Sequence, residues 1–212
     1  ASSGIGEATA LRLLAAGYRV YGTSRQGRQA AERPYPMLAL DVTDDHSVIS
    51  AVDELLRLEG QIDLLVNNAG FGLIGLHEEL DYLKLEEIIQ VNLTAPILLT
   101  RLLLRQIKSN QGTIINISSI TAKKSSPLAS AYSAAKAGLT QFGESLFEEV
   151  RKSGVKVCNI HPDVTKTNFY NDLSIKENSD PDSYLLPESI ADAVEVILTQ
   201  KNTLAITDIT LQ

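Results

Sequence analysis

The sequence predicts an α/β fold, a single doubly wound domain in which a parallel sheet is flanked by helices on both faces. Three observations predict it. Short apolar runs of strand length alternate with longer helical patterns along most of the 212 residues. Most of the runs are continuous rather than alternating, as expected for strands covered on both faces. Parallel neighbours also need a crossover, which the intervening helical segments supply.

Taken in order, GIGEATALRLLAAG reads as a helix that stops at Gly17, and YRVYGTS (18–24) reads as the strand after it. MLALDV (37–42) is a second strand, and DHSVISAVDELLRLEG a helix from about Asp45 to its glycine stop at Gly60. IDLLVNNAG (62–70), GTIINISS (112–119), VKVCNIHP (155–162) and LAITDITL (204–211) are the remaining strands, with helices over about 81–109 and 129–153. A helix opening at Gly4 is expected to follow a strand, so a strand and the first glycine of its turn are expected upstream of Ala1. The stretch 163–187 is polar, carries NDLSIKENSDPDSY, and is long for a connection inside one domain. It is expected to be a lid over the substrate. One domain is expected over 1–212.

Composition narrows the function. A net charge of -7 and the lack of a Lys/Arg-rich run argue against a nucleic-acid partner. No uninterrupted apolar run approaches the ~20 residues of a bilayer span, so no membrane anchor is expected. The single cysteine, Cys158, excludes an intrachain disulfide, suits a reducing compartment and reads as a packed small side chain. His46, His77 and His161 are far apart and show no ligand spacing, so no metal site is expected.

Two constellations carry chemistry. Gly4-Ile5-Gly6 opens a helix, where glycines let backbone approach a pyrophosphate and the helix N-terminus supplies free N–H groups. Ser24 and Arg25 follow at the end of the 18–24 strand. An acidic side chain there accepts from a ribose 2'-hydroxyl, whereas an arginine accommodates a 2'-phosphate, so NADP(H) is the expected cofactor, with Arg28 as a possible helper. The second constellation is AYSAAKAG, in which Tyr132 and Lys136 are four apart on one helix face. A tyrosine ordinarily ionises near ~10, and an adjacent ammonium in a poorly solvated cleft favours the phenolate. Bringing it to neutrality takes only about 4 kcal/mol. Ser119 ends one strand thirteen residues before Tyr132, and Asn67 to Gly70 end another, where an open parallel sheet places its ligand. Asn92 lies in the long intervening helix, where a buried amide must find partners or bind water.

In this arrangement the chain resembles a single-domain short-chain dehydrogenase/reductase of the Rossmann type, and the likeness spans essentially its whole length. The resemblance implies cofactor contacts from Ser3, Gly4, Ile5 and Gly6, from Asp41 and Val42 at the adenine, and from Asn68, Ala69 and Gly70. It implies a catalytic tetrad of Asn92, Ser119, Tyr132 and Lys136, with Tyr132 and Lys136 also touching the cofactor. Pro162, Val164, Thr165 and Thr167 fall where the family binds the carboxamide, although Asp163 and Thr165 replace the usual glycine and valine. The implied activity is reversible hydride transfer between NADP(H) and a small carbonyl or alcohol, with Tyr132 as general acid/base. A 3-hydroxy acid dehydrogenase fits the same site. An inactive NADP-binding sensor or scaffold is the alternative, opposed by the intact Tyr132 and Lys136. The family also implies a homodimer or homotetramer, and a cytoplasmic setting is expected. Phe71, Leu73, Phe169 and Tyr170 suggest a partly apolar substrate pocket.

Overall fold

The structure is a computed structural model, and it describes residues 1–27, 33–170, 184–201 and 203–212. Every paired strand runs parallel to its neighbour. Strands β1 (Gly22–Ser24) and β2 (Met37–Ala39) form one ladder, and β3 (Leu64–Asn67), β4 (Thr113–Ile117), β5 (Lys156–Pro162) and β6 (Asp208–Leu211) form the other in chain order. Among the described residues no strand pairing joins the two ladders. The strands are shorter than the apolar runs that announce them. In 37–42, for example, pairing ends at Ala39 and the chain turns at Asp41, whose Oδ1 accepts from the Thr43 N–H and hydroxyl at 2.9 and 2.7 Å.

Alternation along the central strands explains the double winding. Ile115 and Ile117 of β4 and Cys158 and Ile160 of β5 pack with Leu13 of α1 (Gly4–Ala15) and with Ile190, Val194 and Ile197 of α6 (Pro187–Leu198). Their neighbours Ile114, Val155 and Val157 face the opposite way. There they meet Val52 of α2 (Asp45–Glu59), Leu103 and Ile107 of α4 (Ala95–Ser109), and Leu146 and Val150 of α5 (Ser130–Val150). Each fully buried isoleucine contributes about 1.5–3 kcal/mol, so β4 and β5 anchor both layers. Asp44 and Asp81 start α2 and α3 (Tyr82–Ile89) by accepting backbone N–H groups, and Gly60 ends α2 in the left-handed region at φ 73°.

Helix α6 was absent from the sequence expectation, which leaves the segment after 187 unassigned. Pro187 at its first turn and the buried set Ile190, Ala191, Ala193, Val194 and Ile197 are the helical signals that mark it. The expected helix over 81–109 is continuous but changes pitch, with a π turn at Gln90–Thr94 between α3 and α4. By length and composition that whole helix is apolar enough to cross a bilayer, a property that core helices of soluble proteins share. Isolated charges such as Arg101 and Arg105 break the runs without ending the helix. Ile88, Val91, Ala95, Leu103 and Ile107 on this helix are buried within the protein.

A polar seam fixes α5 against the sheet. In-register asparagines on three strands join side chain to side chain: Asn67 Nδ2 donates to Asn116 Oδ1 at 2.9 Å, and Asn116 Nδ2 to Asn159 Oδ1 at 3.0 Å. Asn159 Nδ2 then donates to the Thr140 carbonyl of α5 at 3.1 Å. Buried amides of this kind are costly unless paired, so the seam specifies both strand register and helix position.

Candidate active site

Lys136 sits one turn before that anchor and is fully enclosed, with 4% of its surface exposed. Its ammonium donates to the Ile117 carbonyl at the end of β4, 2.8 Å away. Burial alone lowers its pKa from the ordinary lysine value to about 8. The same ammonium lies 5.8 Å from the centre of the Tyr132 ring, so the four-residue spacing does bring the pair together. Tyr132 is only half-buried, and its ring packs at 5.8 Å against Phe169.

Ser119 lies two residues past the end of β4 rather than on the strand itself. The Ser118 hydroxyl beside it donates to the Lys136 carbonyl at 3.1 Å, which docks α5 on the β4 terminus. Ser119 Oγ accepts from the Thr121 N–H and hydroxyl at 3.2 and 3.1 Å, while its own proton stays available. Asn92 lies within the π turn and is completely buried. Its Nδ2 donates to the carbonyls of Ile88 and Phe71 at 3.0 and 3.1 Å, and its Oδ1 has no partner. A buried amide oxygen left unpaired calls for a ligand or a water. A side chain added at Gly70 would place its Cβ 2.6 Å from that oxygen and 3.5 Å from Lys136 Nζ. The glycine therefore keeps open a small gap bordered by both groups.

The dinucleotide end is built from turns. Gly4 has φ 55°, a conformation that favours glycine, and a Cβ there would press on Thr167 at 3.1 Å. A Cβ at Gly6 would lie 2.6 Å from Asn68 Nδ2. Gly4, Gly6, Asn68 and Thr167 thus share one cradle at the N-terminus of α1, where the Ser3 side chain makes no capping bond. The residues present fit a pyrophosphate, because a cradle that a methyl group would fill lies at a helix N-terminus. Ile5 packs against the core on the α1–α6 side. Ser24 Oγ accepts from the Gly27 N–H at 3.1 Å, and Arg25 next to it is exposed. Asp41 is held below the ordinary carboxylate range, first by its bonds from Thr43 and then, against some burial, by the charge of Arg25. Val42 packs beside Leu40 and Val48. Ala69 is exposed at the end of β3.

Past β5, Pro162 is buried and Asp163 donates its N–H to Leu211 at 2.9 Å. The Asp163 carboxylate accepts from the Val164 N–H at 2.8 Å, and the Val164 carbonyl accepts from the Leu185 N–H at 2.8 Å. Both backbone groups of Val164 are thus engaged within the chain. Thr165 is buried and Thr167 Oγ1 accepts from the Phe169 N–H at 3.2 Å. Arg28 and the middle of the expected lid, 171–183, lie outside the described residues.

Sequence reasoning missed two groups. Arg33 bonds Glu7 and the Ser2 carbonyl, so a guanidinium braces the turn before Gly4 from 26 residues away. His161 was treated only as a failed metal ligand, whereas it lies buried beside Ser119. The signal available for it was a histidine inside a strand covered on both faces, which must find partners.

A model of the family described as short chain dehydrogenase matches residues 1–178. The chain belongs to this family. Short-chain dehydrogenases are oxidoreductases that act on carbonyl and alcohol groups with a nicotinamide cofactor, and the fold described above is theirs. The chain is 35% identical over 178 residues to a 3-ketodihydrosphingosine reductase of Bacteroides thetaiotaomicron, an alignment covering 84% of this chain and 66% of that protein. It is also 35% identical to the Escherichia coli 3-oxoacyl-acyl-carrier-protein reductase FabG, over 82% of this chain and 74% of that one. An alcohol dehydrogenase from Thermococcus sibiricus, solved with 5-hydroxy-NADP, superimposes with a TM-score of 0.87 at 25% identity, covering 99% of this chain and 92% of that one. The short-chain dehydrogenase described here therefore spans just under two thirds of the Bacteroides reductase's length.

Proposed function

We propose that the protein is an NADP(H)-dependent reductase that interconverts a carbonyl and an alcohol, with Tyr132 as the general acid/base. The observation that carries this reading is the Lys136 ammonium, buried and fixed to Ile117 O with Tyr132 beside it. A bound nicotinamide supplies the hydride. Gly4, Ile5, Gly6, Ser3 and Asn68 would hold its pyrophosphate side, Asp41 and Val42 its adenine, and Ala69, Gly70, Pro162, Thr165 and Thr167 its nicotinamide side. The Tyr132 hydroxyl gives its proton to the developing alkoxide, and Ser119 Oγ donates a hydrogen bond to the same oxygen. Lys136 favours the phenolate left behind. A water in the gap between Asn92 Oδ1 and Lys136 would return the proton from solvent.

The NADP(H) preference rests on Arg25, an exposed cation at the end of β1 with no acidic residue in its place. The substrate class follows from the rim. Leu76, Leu128, Val164 and Leu186 are large aliphatics 44–51% exposed. Gly75 N–H donates to the Leu128 carbonyl and Leu185 N–H to Val164, so these residues sit in tied pairs. Together with the names of the two reductases, this favours a 3-oxo substrate on an apolar chain. Association into a homodimer or homotetramer is part of the same reading, supported by exposed Tyr82, Leu83, Ile89 and Ile97 along one helix. A cytoplasmic setting and a substrate lid over 163–187 complete it.

Steady-state rates with NADPH and NADH against a panel of aldehydes, ketones and 3-oxo acyl thioesters test it. Oxidation of NADPH by 3-oxo substrates, rising with chain length, is expected. Tight NADPH binding without turnover on any substrate would favour a sensor instead.

A further inference from the structure

Beside Ser119 runs a chain of ionisable side chains that the mechanism above does not use. His161 of β5 has none of its surface exposed. Its Nδ1 lies 3.2 Å from the Ser119 carbonyl oxygen, and its Nε2 lies 2.8 Å from Asp208 Oδ2. Lys123, four residues after Ser119, donates to the other Asp208 oxygen and to Thr210 Oγ1. Strand register places all of this: β5 pairs His161 with Thr210 and Asn159 with Asp208, and Ser118 N–H donates to the Ile160 carbonyl.

The partners dictate where the protons are. A carbonyl only accepts, so Nδ1 must carry a hydrogen. A second proton must lie between Nε2 and the carboxylate. Asp208 is partly buried, which would raise its pKa, yet Lys123 and His161 together hold it below the ordinary carboxylate range. For both contacts to be hydrogen bonds at once, both ring nitrogens must carry protons, which would make the ring an imidazolium. Two further ionisable groups lie on β5 and on the adjoining α5. Cys158, also on β5, is a thiol pushed up to about 12 by burial and by Asp208, and so stays neutral. Lys136 of α5 binds Ile117, two residues before Ser119.

We propose that His161 and Asp208 are positioning residues for Ser119, a buried imidazolium–carboxylate pair that fixes the serine's backbone and makes that placement depend on pH. The proposal rests on the assignment of Ser119 to the reacting oxygen. With both ring nitrogens protonated, the Ser119 carbonyl and Asp208 are held at once. A neutral ring has one proton for two acceptors, and whichever bond is lost frees either the serine or β6. The imidazolium also places a positive charge behind the group that faces the developing alkoxide.

Two measurements test this on the full chain. The first is the pH titration of the His161 ring nitrogens by 15N-detected NMR, which needs no activity. Both nitrogens should be protonated at pH 7, and Asp208→Asn should shift the ring to a single-proton form. The second is the pH profile of kcat under saturating NADPH. Asp208→Asn should lower kcat about tenfold, less than the ~100-fold or more lost with a direct oxyanion donor. It should change the pH dependence and leave KM for NADPH near the wild-type value, and Asp208→Glu should recover most of the rate. A neutral His161 at pH 7 in the wild type would overturn the proposal, as would an Asp208→Asn variant with wild-type kcat and pH profile. If the wild type turns over no substrate, the assigned reaction fails, and the ring titration still decides the state of the pair.

Discussion

The two ends of the proposed cofactor site are built on opposite principles. At the catalytic end Asn92, Ser119 and Lys136 are buried, and each side chain is bonded to backbone: Asn92 to Ile88 and Phe71, Ser119 to Thr121, and Lys136 to Ile117. At the adenosine end Ser3 and Arg25 are exposed, and the ladder beneath Arg25 has only three rungs. Burial is what makes the chemistry possible, since a lysine titrating near 8 cannot exist in open solvent. Discrimination between cofactors needs no burial, because a doubly charged phosphate finds a surface arginine readily. Substitutions at the first end should therefore act on rate and stability, and those at the second on affinity alone.

The most severe break is Tyr132→Phe. It removes the proton donor and leaves the ring packed on Phe169, so kcat should fall by about 10³-fold or more while NADPH binding, followed by fluorescence, changes little. Near-full activity would remove Tyr132 from its role. Gly70→Ala comes next. Its methyl group enters the gap beside Asn92 Oδ1, and kcat should drop roughly 10- to 100-fold with unchanged far-UV circular dichroism. Arg25→Ala tests the other end. The dissociation constant for NADPH should rise about tenfold or more, with kcat retained and NADH affinity moved less than about twofold. Equal weakening of both cofactors would reject the 2'-phosphate assignment.

The smallest effect sharpens the contrast thermodynamically. The unfolded chain keeps a proton on Lys136 up to the ordinary value of 10.5, whereas the folded protein releases it from about 8. Between those values the unfolded state binds more protons, so this group's contribution to stability increases as pH rises. Relative to Lys136→Met, the wild type should gain roughly 1 kcal/mol per pH unit between pH 8 and 10.5, read from urea unfolding at each pH. A pH-independent difference would mean that the lysine is not buried as a cation.

Much of the fold was legible because its signals are local. Continuous apolar runs gave the six described strands to within a few residues, and Gly17, Gly60 and the aspartates at 45 and 81 marked helix ends. Helix α6 was passed over because the polar stretch before it masked a clear apolar period. The candidate tetrad was legible through ordered spacing, but the setting of Asn92 was not. The π turn at Gln90–Thr94 turns the Asn92 amide inward, and it depends on bonds to Phe71 and Ile88 that no periodicity announces.

Sequence by itself determined the family, the order of the strands and the residues proposed for the site, because each of these is written in neighbouring residues and fixed spacings. Only the tertiary structure decided that Lys136 is desolvated, that Gly70 guards a gap, and that His161 bridges Ser119 to Asp208. These contacts join residues 42 and 47 positions apart through strand register, and register is set by the packing of both helical layers on one sheet.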